Sequence, residues 1–209
     1  MLNAVHSVKN GTEFVVFILK LISNLSFVML ERFDIDTAKA AMLYISGKFG
    51  KIDLMRLFKI LYFAEKYHLK KWGSLIVNDT YIAMKYGPVP SLLFDLFKGI
   101  RGDGFVDKRY DVFYKVFKVE EGYHIIPLEE PDMDWLSIAD VESLDKSINE
   151  YKDVDFDTLS SKSHDDAWNN ADINNKINFM DIVKASGASD DMIDYIVEQR
   201  EISEILGCV

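Results

Sequence analysis

Cysteine is almost missing from this sequence: Cys208, the last residue but one of 209, is the only example. An internal disulfide is therefore impossible, and because a reducing setting suits such a chain, we expect a cytoplasmic protein. Proline is also scarce, with four residues, while 49% of the residues are hydrophobic. This composition argues against disorder, and the length suits one domain with a sizeable buried core.

Motifs of familiar catalytic and cofactor sites are missing too. The sequence contains no G-x-G-x-x-G or G-x-x-x-x-G-K-[ST] phosphate loop and no G-x-S-x-G nucleophile elbow. None of the four histidines is spaced from cysteine or from another histidine as zinc ligands are. His164, Asp165 and Asp166 would offer an imidazole and two carboxylates, but neighbouring side chains on a helix point different ways. We therefore expect no cofactor and no metal, with a metal-dependent enzyme centred on His164 as a lesser alternative. A Ser/His/Asp triad assembled from distant positions stays open, because triads are spatial rather than sequential.

Positive charge is in short supply, and it is unevenly distributed. The net charge of −10 disfavours a general nucleic-acid binder, because phosphates need a basic surface. Residues 39–118 contain 15 Lys and Arg against 7 Asp and Glu, whereas residues 129–166 contain 3 against 13. Two opposed binding surfaces or ordinary solvated helix faces would each produce this distribution.

A DNA-binding regulator forms a third class of function, in which a basic β-hairpin would act as a wing. The basic residues concerned are Lys108, Arg109, Lys115 and Lys118. Because the chain as a whole is acidic, we do not expect DNA among its partners.

One long apolar run, FVVFILKLISNLSFVML at residues 14–30, lies near the amino terminus. Four polar side chains interrupt it: Lys20, Ser23, Asn24 and Ser26. The run falls short of the ~20 apolar residues of a membrane span, and no small-x-small cleavage site follows. We expect Met29 to be the biological start, residues 1–28 to be an extension that the fold does not require, and one domain to occupy 29–209. A docking helix is the second interpretation of the run, and a membrane anchor is the third.

Apolar residues recur with helical spacing along most of the chain. The residues suited to start these helices are, in chain order, Asp34 or Asp36, Asp53, Ser137 with Asp140 as its capping-box partner, Asp155 or Asp157, and Ser189. The helix that begins after Asp53 has an apolar arc broad enough for a central helix packed on more than one side, and Gly73 ends it. The helix that begins near Ser189 forms the carboxyl-terminal part of the predicted domain.

The sequence YGPVP separates two apolar patterns within residues 80–100. The first pattern, TYIAMKYG, predicts a helix over residues 80–87. Proline fixes φ and disfavours helical backbone in the residue before it, so Gly87 and Val89 should be extended and Pro90 suits the start of the next helix. The turn is therefore predicted to swing one helix against another, acting through shape rather than chemistry.

The apolar period changes to two after Gly104. The sequence RYDVFYKVFKVEEGYHIIPL, residues 109–128, holds two β-rich runs around Glu120-Glu121-Gly122 and predicts a hairpin. The predicted fold class is therefore α+β: a compact, mainly α-helical domain with a small antiparallel β-hairpin or sheet.

Three segments together resemble a known family. KILYFAEKYHL (residues 59–69), YGPV (86–89) and LSSKSHDDAW (159–168), with a hairpin between the last two, resemble the Panacea domain. This is the SocA-like antitoxin domain, which phage-associated proteins also carry. The resemblance extends over about residues 38–168. The positions that match the domain's signature are Tyr62, Tyr86, Gly87, Pro88, His164 and Trp168.

The resemblance implies the antitoxin of a toxin–antitoxin system, which neutralises a cognate protein toxin by direct contact and has no catalysis of its own. One branch of the family delivers a toxin to a cellular protease, so a proteolytic adaptor is the alternative that the resemblance implies. We interpret all six signature residues as mainly structural. Only His164 and the surface of Tyr86 are expected to contact a partner.

Overall fold

The computed structural model of the protein describes residues 33–205. The expected extension 1–28, the proposed start at Met29 and Cys208 lie outside the described residues. The helices within 33–205 are α1 (Ile35–Gly47), α2 (Leu54–Trp72), α3 (Ser91–Arg101), α4 (Asp111–Tyr114), α5 (Ile138–Tyr151), α6 (Phe156–Ser163), α7 (Asp166–Asn169), α8 (Phe179–Ala185) and α9 (Asp190–Ile205). The strands are β1 (Ile52–Asp53), β2 (Tyr81–Met84), β3 (Gly87–Pro90), β4 (Phe117–Glu120) and β5 (His124–Pro127).

The predicted fold class, α+β and mainly helical, is confirmed. Three strands form an antiparallel sheet in the order β1–β5–β4, and β2 and β3 form a separate two-stranded antiparallel sheet. No helix within residues 33–205 combines the length and the apolar character needed to cross a bilayer.

Helix α2 lies at the centre of the described fold, as its broad apolar arc predicts. The Asp53 carboxylate caps the helix by accepting the Arg56 N–H over 3.0 Å, and Gly73 ends it with a left-handed backbone. The helix packs against α5, α6, α8, α1 and strand β3. Most of its side chains, from Leu54 to Leu69, are consequently buried in the apolar core.

The hairpin predicted near Glu120 is confirmed, with strands β4 and β5 paired from Phe117 opposite Pro127 to Glu120 opposite His124. The residues before it differ from the prediction, because residues 108–114 form a 3₁₀ turn followed by α4 rather than a strand. The Asp107 carboxylate starts this turn by accepting the Arg109 N–H. Phe113 is fully buried and packs edge-on against Phe97, which fixes the short helix in place.

The helix predicted over residues 80–87 is wrong, because Tyr81–Met84 is a strand that pairs with Gly87–Pro90. A proline in a strand cannot donate a hydrogen bond to its neighbour strand, which argues against pairing. Here, however, the residues opposite the two prolines form hydrogen bonds with residues 174–177 instead. Ala83, opposite Pro88, directs its N–H to the Asn175 carbonyl and accepts the Asn174 N–H. The missing N–H of Pro88 therefore removes no hydrogen bond between β2 and β3. The turn joins two strands rather than two helices.

The helix starts predicted in the carboxyl-terminal half are largely confirmed. Ser137 and Asp140 form a complete capping box at α5, and Asp155 caps α6. Helix α9 covers Asp190–Ile205, and Ile196 is fully buried in the core whereas Val197 is exposed. The short helices α7 and α8 were not predicted.

Candidate functional site

The signature residues meet around the turn between β2 and β3. The Ser160 hydroxyl, from α6, donates to the Tyr86 carbonyl over 3.0 Å. The Trp168 indole N–H, from α7, donates to the Met84 carbonyl over 2.9 Å. Side chains that follow the turn by 74 and 84 positions thus hold its backbone, which is why two of the three segments of the resemblance lie together in space.

Gly87 lies close against side chains of α2 and α6. Its φ of +105° lies in a region that side chains disfavour. A Cβ placed on this residue would lie 2.9 Å from the Lys59 Cε and closer still to the Ser163 Oγ. The position therefore requires glycine for its backbone angle and for space.

Lys59 lies directly below the turn and is fully buried. Its ammonium Nζ donates to the Pro88 carbonyl over 3.2 Å. Burial lowers the pKa of Lys59 to about 7, against a smaller opposing effect of the Asp53 carboxylate. Sequence reasoning did not single out Lys59, although a lysine between Phe58 and Ile60 in the apolar arc of a central helix was the available signal.

His164 and Trp168 stack on one another, with ring centroids 3.9 Å apart and an interplanar angle of 24°. Burial, followed by the positive charge of Lys59, lowers the pKa of His164. Its Nε2 is buried without a hydrogen-bond partner among the described residues. The imidazole therefore favours its neutral form and behaves as a flat packing surface for the indole.

Asp165 joins the segment after α6 to the central helix. The Tyr62 hydroxyl and the Lys66 Nζ donate to its carboxylate over 3.0 and 2.5 Å. The same carboxylate caps α7 by accepting the Ala167 and Trp168 N–H groups. Tyr62 is fully buried, and burial together with the Asp165 charge raises its pKa far above the ordinary value. These contacts occupy the Asp165 carboxylate. The hydrogen bond from Tyr62 explains why a tyrosine belongs to the signature.

The side chains of His164, Asp165 and Asp166 are not arranged to hold a metal ion, which was the alternative drawn from the sequence. The Asp165 carboxylate is engaged by four donors, and His164 is stacked on Trp168. Within residues 33–205, no three or more His, Cys, Asp and Glu side chains converge closely enough to hold an ion. Asp166, which is exposed, does not complete such a set.

Tyr86 has the most exposed side chain of the six signature residues, with 51% of its surface accessible. Its ring lies edge-on to Phe156 at 6.2 Å, and the Lys85 Nζ lies 5.2 Å above it. Gly87 and Pro88 are buried, and His164 and Trp168 are partly buried. The turn therefore offers a single aromatic side chain to a partner.

The basic region 39–118 and the acidic region 129–166 contact each other within the fold. Four polar contacts join them over 2.5–2.7 Å, with donors and acceptors Lys66–Asp165, Lys71–Glu142, Tyr67–Glu150 and Tyr44–Asp145. Two of these contacts pair opposite charges, Lys66–Asp165 where α2 meets the start of α7 and Lys71–Glu142 where α2 meets α5, so part of the uneven charge is paired within the molecule. Neither of the two interpretations drawn from the sequence included this internal pairing.

Comparison with protein families gives one match, to the model described as antitoxin SocA-like, Panacea domain, over residues 57–169. This range covers more than half of the 209 residues. It includes most of α2, the turn and the stacked pair, and all six signature residues. Comparisons with curated proteins and with solved structures gave no match.

Proposed function

The chain belongs to the family of the antitoxin SocA-like, Panacea domain, and from this membership we propose that it neutralises a cognate protein toxin by binding it directly. The match over residues 57–169 carries the proposal, because it includes every signature residue. The site geometry supports binding over catalysis, since Asp165, Tyr62 and Lys59 are engaged in contacts within the fold.

Tyr86 and His164 are the signature residues that we propose as contacts with the toxin. Tyr86 combines an exposed ring with a backbone fixed by Ser160, so little conformational freedom would be lost on binding. Aromatic side chains held in this way are frequent at the energetic centre of protein interfaces. His164 lies beside the turn, partly exposed and backed by Trp168.

The reading frames that flank the gene provide the test. One of them, expressed alone in a bacterial host, should stop growth, and co-expression of the present chain should restore it. Both purified proteins should then elute as one complex in size-exclusion chromatography. If neither frame stops growth, or if co-expression fails to restore it, the antitoxin proposal is wrong.

The same assay tests the Tyr86 contact against a matched control. Tyr86→Ala should weaken complex formation, whereas Tyr123→Ala removes a tyrosine that is 38% exposed in the β4–β5 turn and should not. Equal binding by the two variants would remove Tyr86 from the interface.

A further inference from the structure

A groove of about 540 Å³ lies on the described fold away from the signature residues. The carboxyl-terminal end of α2, the residues that follow it and the start of α5 form its walls. Asp34 and Thr37, at the start of α1, close one side. A groove of this size is large enough to accept side chains of another molecule.

Large apolar side chains surround the groove and remain open to solvent. Trp72 and Trp135 line it, and each has 43% of its surface exposed. Met133 and Ile138, which flank lining residues in the sequence, are 43% and 89% exposed. Exposed apolar side chains are unremarkable singly, but two tryptophans on one groove mark a surface that gains from being covered.

The groove is also acidic. Three aspartates line it, Asp34, Asp134 and Asp140, and no lysine or arginine is among its described lining residues. The Lys71 Nζ lies 4.9 Å from the centroid of the Trp72 ring, but Glu142 pairs with that charge. The Nε2 of His68 lies 3.1 Å from Asp140 and offsets that charge when protonated. Asp34 and Asp134 are exposed, and the segment leading to the groove adds Glu129, Glu130 and Asp132, all exposed. A partner that matches this surface must carry positive charge.

Buried polar contacts fix the walls of the groove. The Glu65 carboxylate, fully buried, accepts the Ile76 and Val77 N–H groups over 2.5 and 3.2 Å. The His68 Nδ1 lies 2.7 Å from the Ser74 carbonyl. These contacts hold the segment after α2 against the helix. A rigid wall loses little entropy on binding, which favours recognition of a preformed shape.

We propose that this groove, lined by Trp72, Trp135 and Asp134, binds a cationic amphipathic segment of a partner protein. The partner's apolar side chains cover the two indoles, and its lysines or arginines face the aspartates. The inference rests on the proposed function in one respect, namely that the partner is the toxin. It deepens that function by giving the toxin's recognition segment a chemical character.

The first test uses the full chain and a synthetic helical peptide of lysine and leucine, arranged with one apolar face. Isothermal titration calorimetry should give saturable one-to-one binding. A peptide in which glutamate replaces every lysine should not bind. Trp135→Ala and Asp134→Lys should each weaken binding at least about tenfold, which corresponds to ~1.4 kcal/mol.

Two variants outside the groove are matched controls. Phe105→Ala removes a ring that is 85% exposed, and Glu121→Lys makes the same charge change in the β4–β5 turn. Both should bind the peptide as the parent does. Equal losses in the controls and the groove variants would overturn the proposal, as would equal binding of the glutamate peptide.

Acrylamide quenching of tryptophan fluorescence distinguishes the other possible occupants. In Trp168→Phe, the only tryptophans left are Trp72 and Trp135. Both should be quenched readily in the free chain at all protein concentrations. Shielding at every concentration would assign the groove to another segment of this chain, and shielding that grows with concentration would assign it to a second copy. Either result would overturn the proposal.

The toxin assay separates this inference from the proposed function. If the groove variants no longer bind the peptide but still neutralise the toxin fully, the toxin does not bind in the groove. This inference then fails while the antitoxin proposal stands. If the peptide binds as described and neither flanking reading frame yields a toxin, the antitoxin proposal fails while the groove stands.

Discussion

Gly87 packs against Ser163 and Lys59 with a backbone that side chains disfavour, so two separate costs oppose its replacement. The first is the positive φ of +105°, worth about 1–2 kcal/mol for a residue with a Cβ. The second is overlap with Ser163 and Lys59, of the kind that costs about 1–3 kcal/mol in packed interiors. The turn was expected to act through shape, and these contacts explain how.

Gly102 separates the two costs, because it has a φ of +92° and nothing within 4 Å of an added Cβ. We expect Gly102→Ala to lower the free energy of unfolding by about 1–2 kcal/mol and Gly87→Ala to lower it by about 2–5 kcal/mol. Urea denaturation of the two variants measures the difference. Equal losses would show that the turn relaxes away from Ser163. A well-folded Gly87→Ala chain without partner binding would instead mark the turn as a contact site.

Lys59 makes the stability of the fold depend on pH. Its pKa in the folded chain, about 7, lies below the value of 10.5 for a free lysine, so the unfolded chain binds more protons between these values. Stability due to this group therefore rises as pH increases from 7 towards 10.5, and the cost of burying its charge is fully present below pH 7.

Lys59→Met removes this dependence. Relative to the variant, the parent should gain on the order of 2 kcal/mol of unfolding free energy between pH 7 and pH 9, since one pKa unit is worth about 1.4 kcal/mol. Urea denaturation at the two pH values and constant ionic strength measures the gain. Lys70→Met, at an exposed position of the same helix, controls for the loss of a lysine. A constant difference between the parent and Lys59→Met would show that Lys59 stays charged.

At the scale of elements, Asp165 joins α2 to α7. Asp165→Ala would leave the Tyr62 hydroxyl and the Lys66 ammonium without their acceptor and remove the cap of α7. We expect this change to lower the free energy of unfolding by about 2–4 kcal/mol. Asp166→Ala, at the adjacent exposed carboxylate, should change it by less than about 0.5 kcal/mol.

The same pair of variants also tests the metal-site alternative. A metal site built on His164, Asp165 and Asp166 predicts that either alanine variant lowers the metal content of the purified protein. The geometry described above predicts no bound metal in the parent or in either variant, with a stability loss in Asp165→Ala alone. Elemental analysis beside thermal unfolding gives both quantities, and metal that disappears with Asp166→Ala would contradict the structural role.

Local signals made some elements predictable and not others. Capping residues such as Asp53 and Ser137 act on their own helix, so the starts of α2 and α5 were visible in the sequence. The strand Tyr81–Met84 was not, because its backbone groups bond to residues 174–177, almost a hundred positions away. Only that partner lets a proline-containing strand pair opposite it.

The candidate site, too, was only partly predictable from the sequence. The motifs marked the residues that meet at the turn. Lys59, which lies under the turn, was missed because its burial depends on α6 and β3 closing over α2. The groove was missed for a similar reason, since Trp72 and Trp135 come from elements that only the folded chain brings together.

At the scale of the whole molecule, most signature residues make contacts within the fold, and the two proposals place partner contacts on two surfaces. One is the exposed ring of Tyr86, and the other is the acidic groove with its two tryptophans. The contacts between α2 and α5 use up part of the charge that the sequence distributes unevenly. Under the proposed function, each copy of the protein covers one toxin.

Titration of the purified chain against a fixed amount of its toxin, at a concentration well above the dissociation constant, tests this central claim most directly. Toxin activity should fall linearly and vanish at one copy of the chain per toxin, because each copy masks one site. No protease is present in such a mixture, so protection there also separates masking from delivery to a protease. Full protection at a small fraction of one copy per toxin would contradict the account and indicate catalysis, and no protection at any ratio would contradict direct neutralisation.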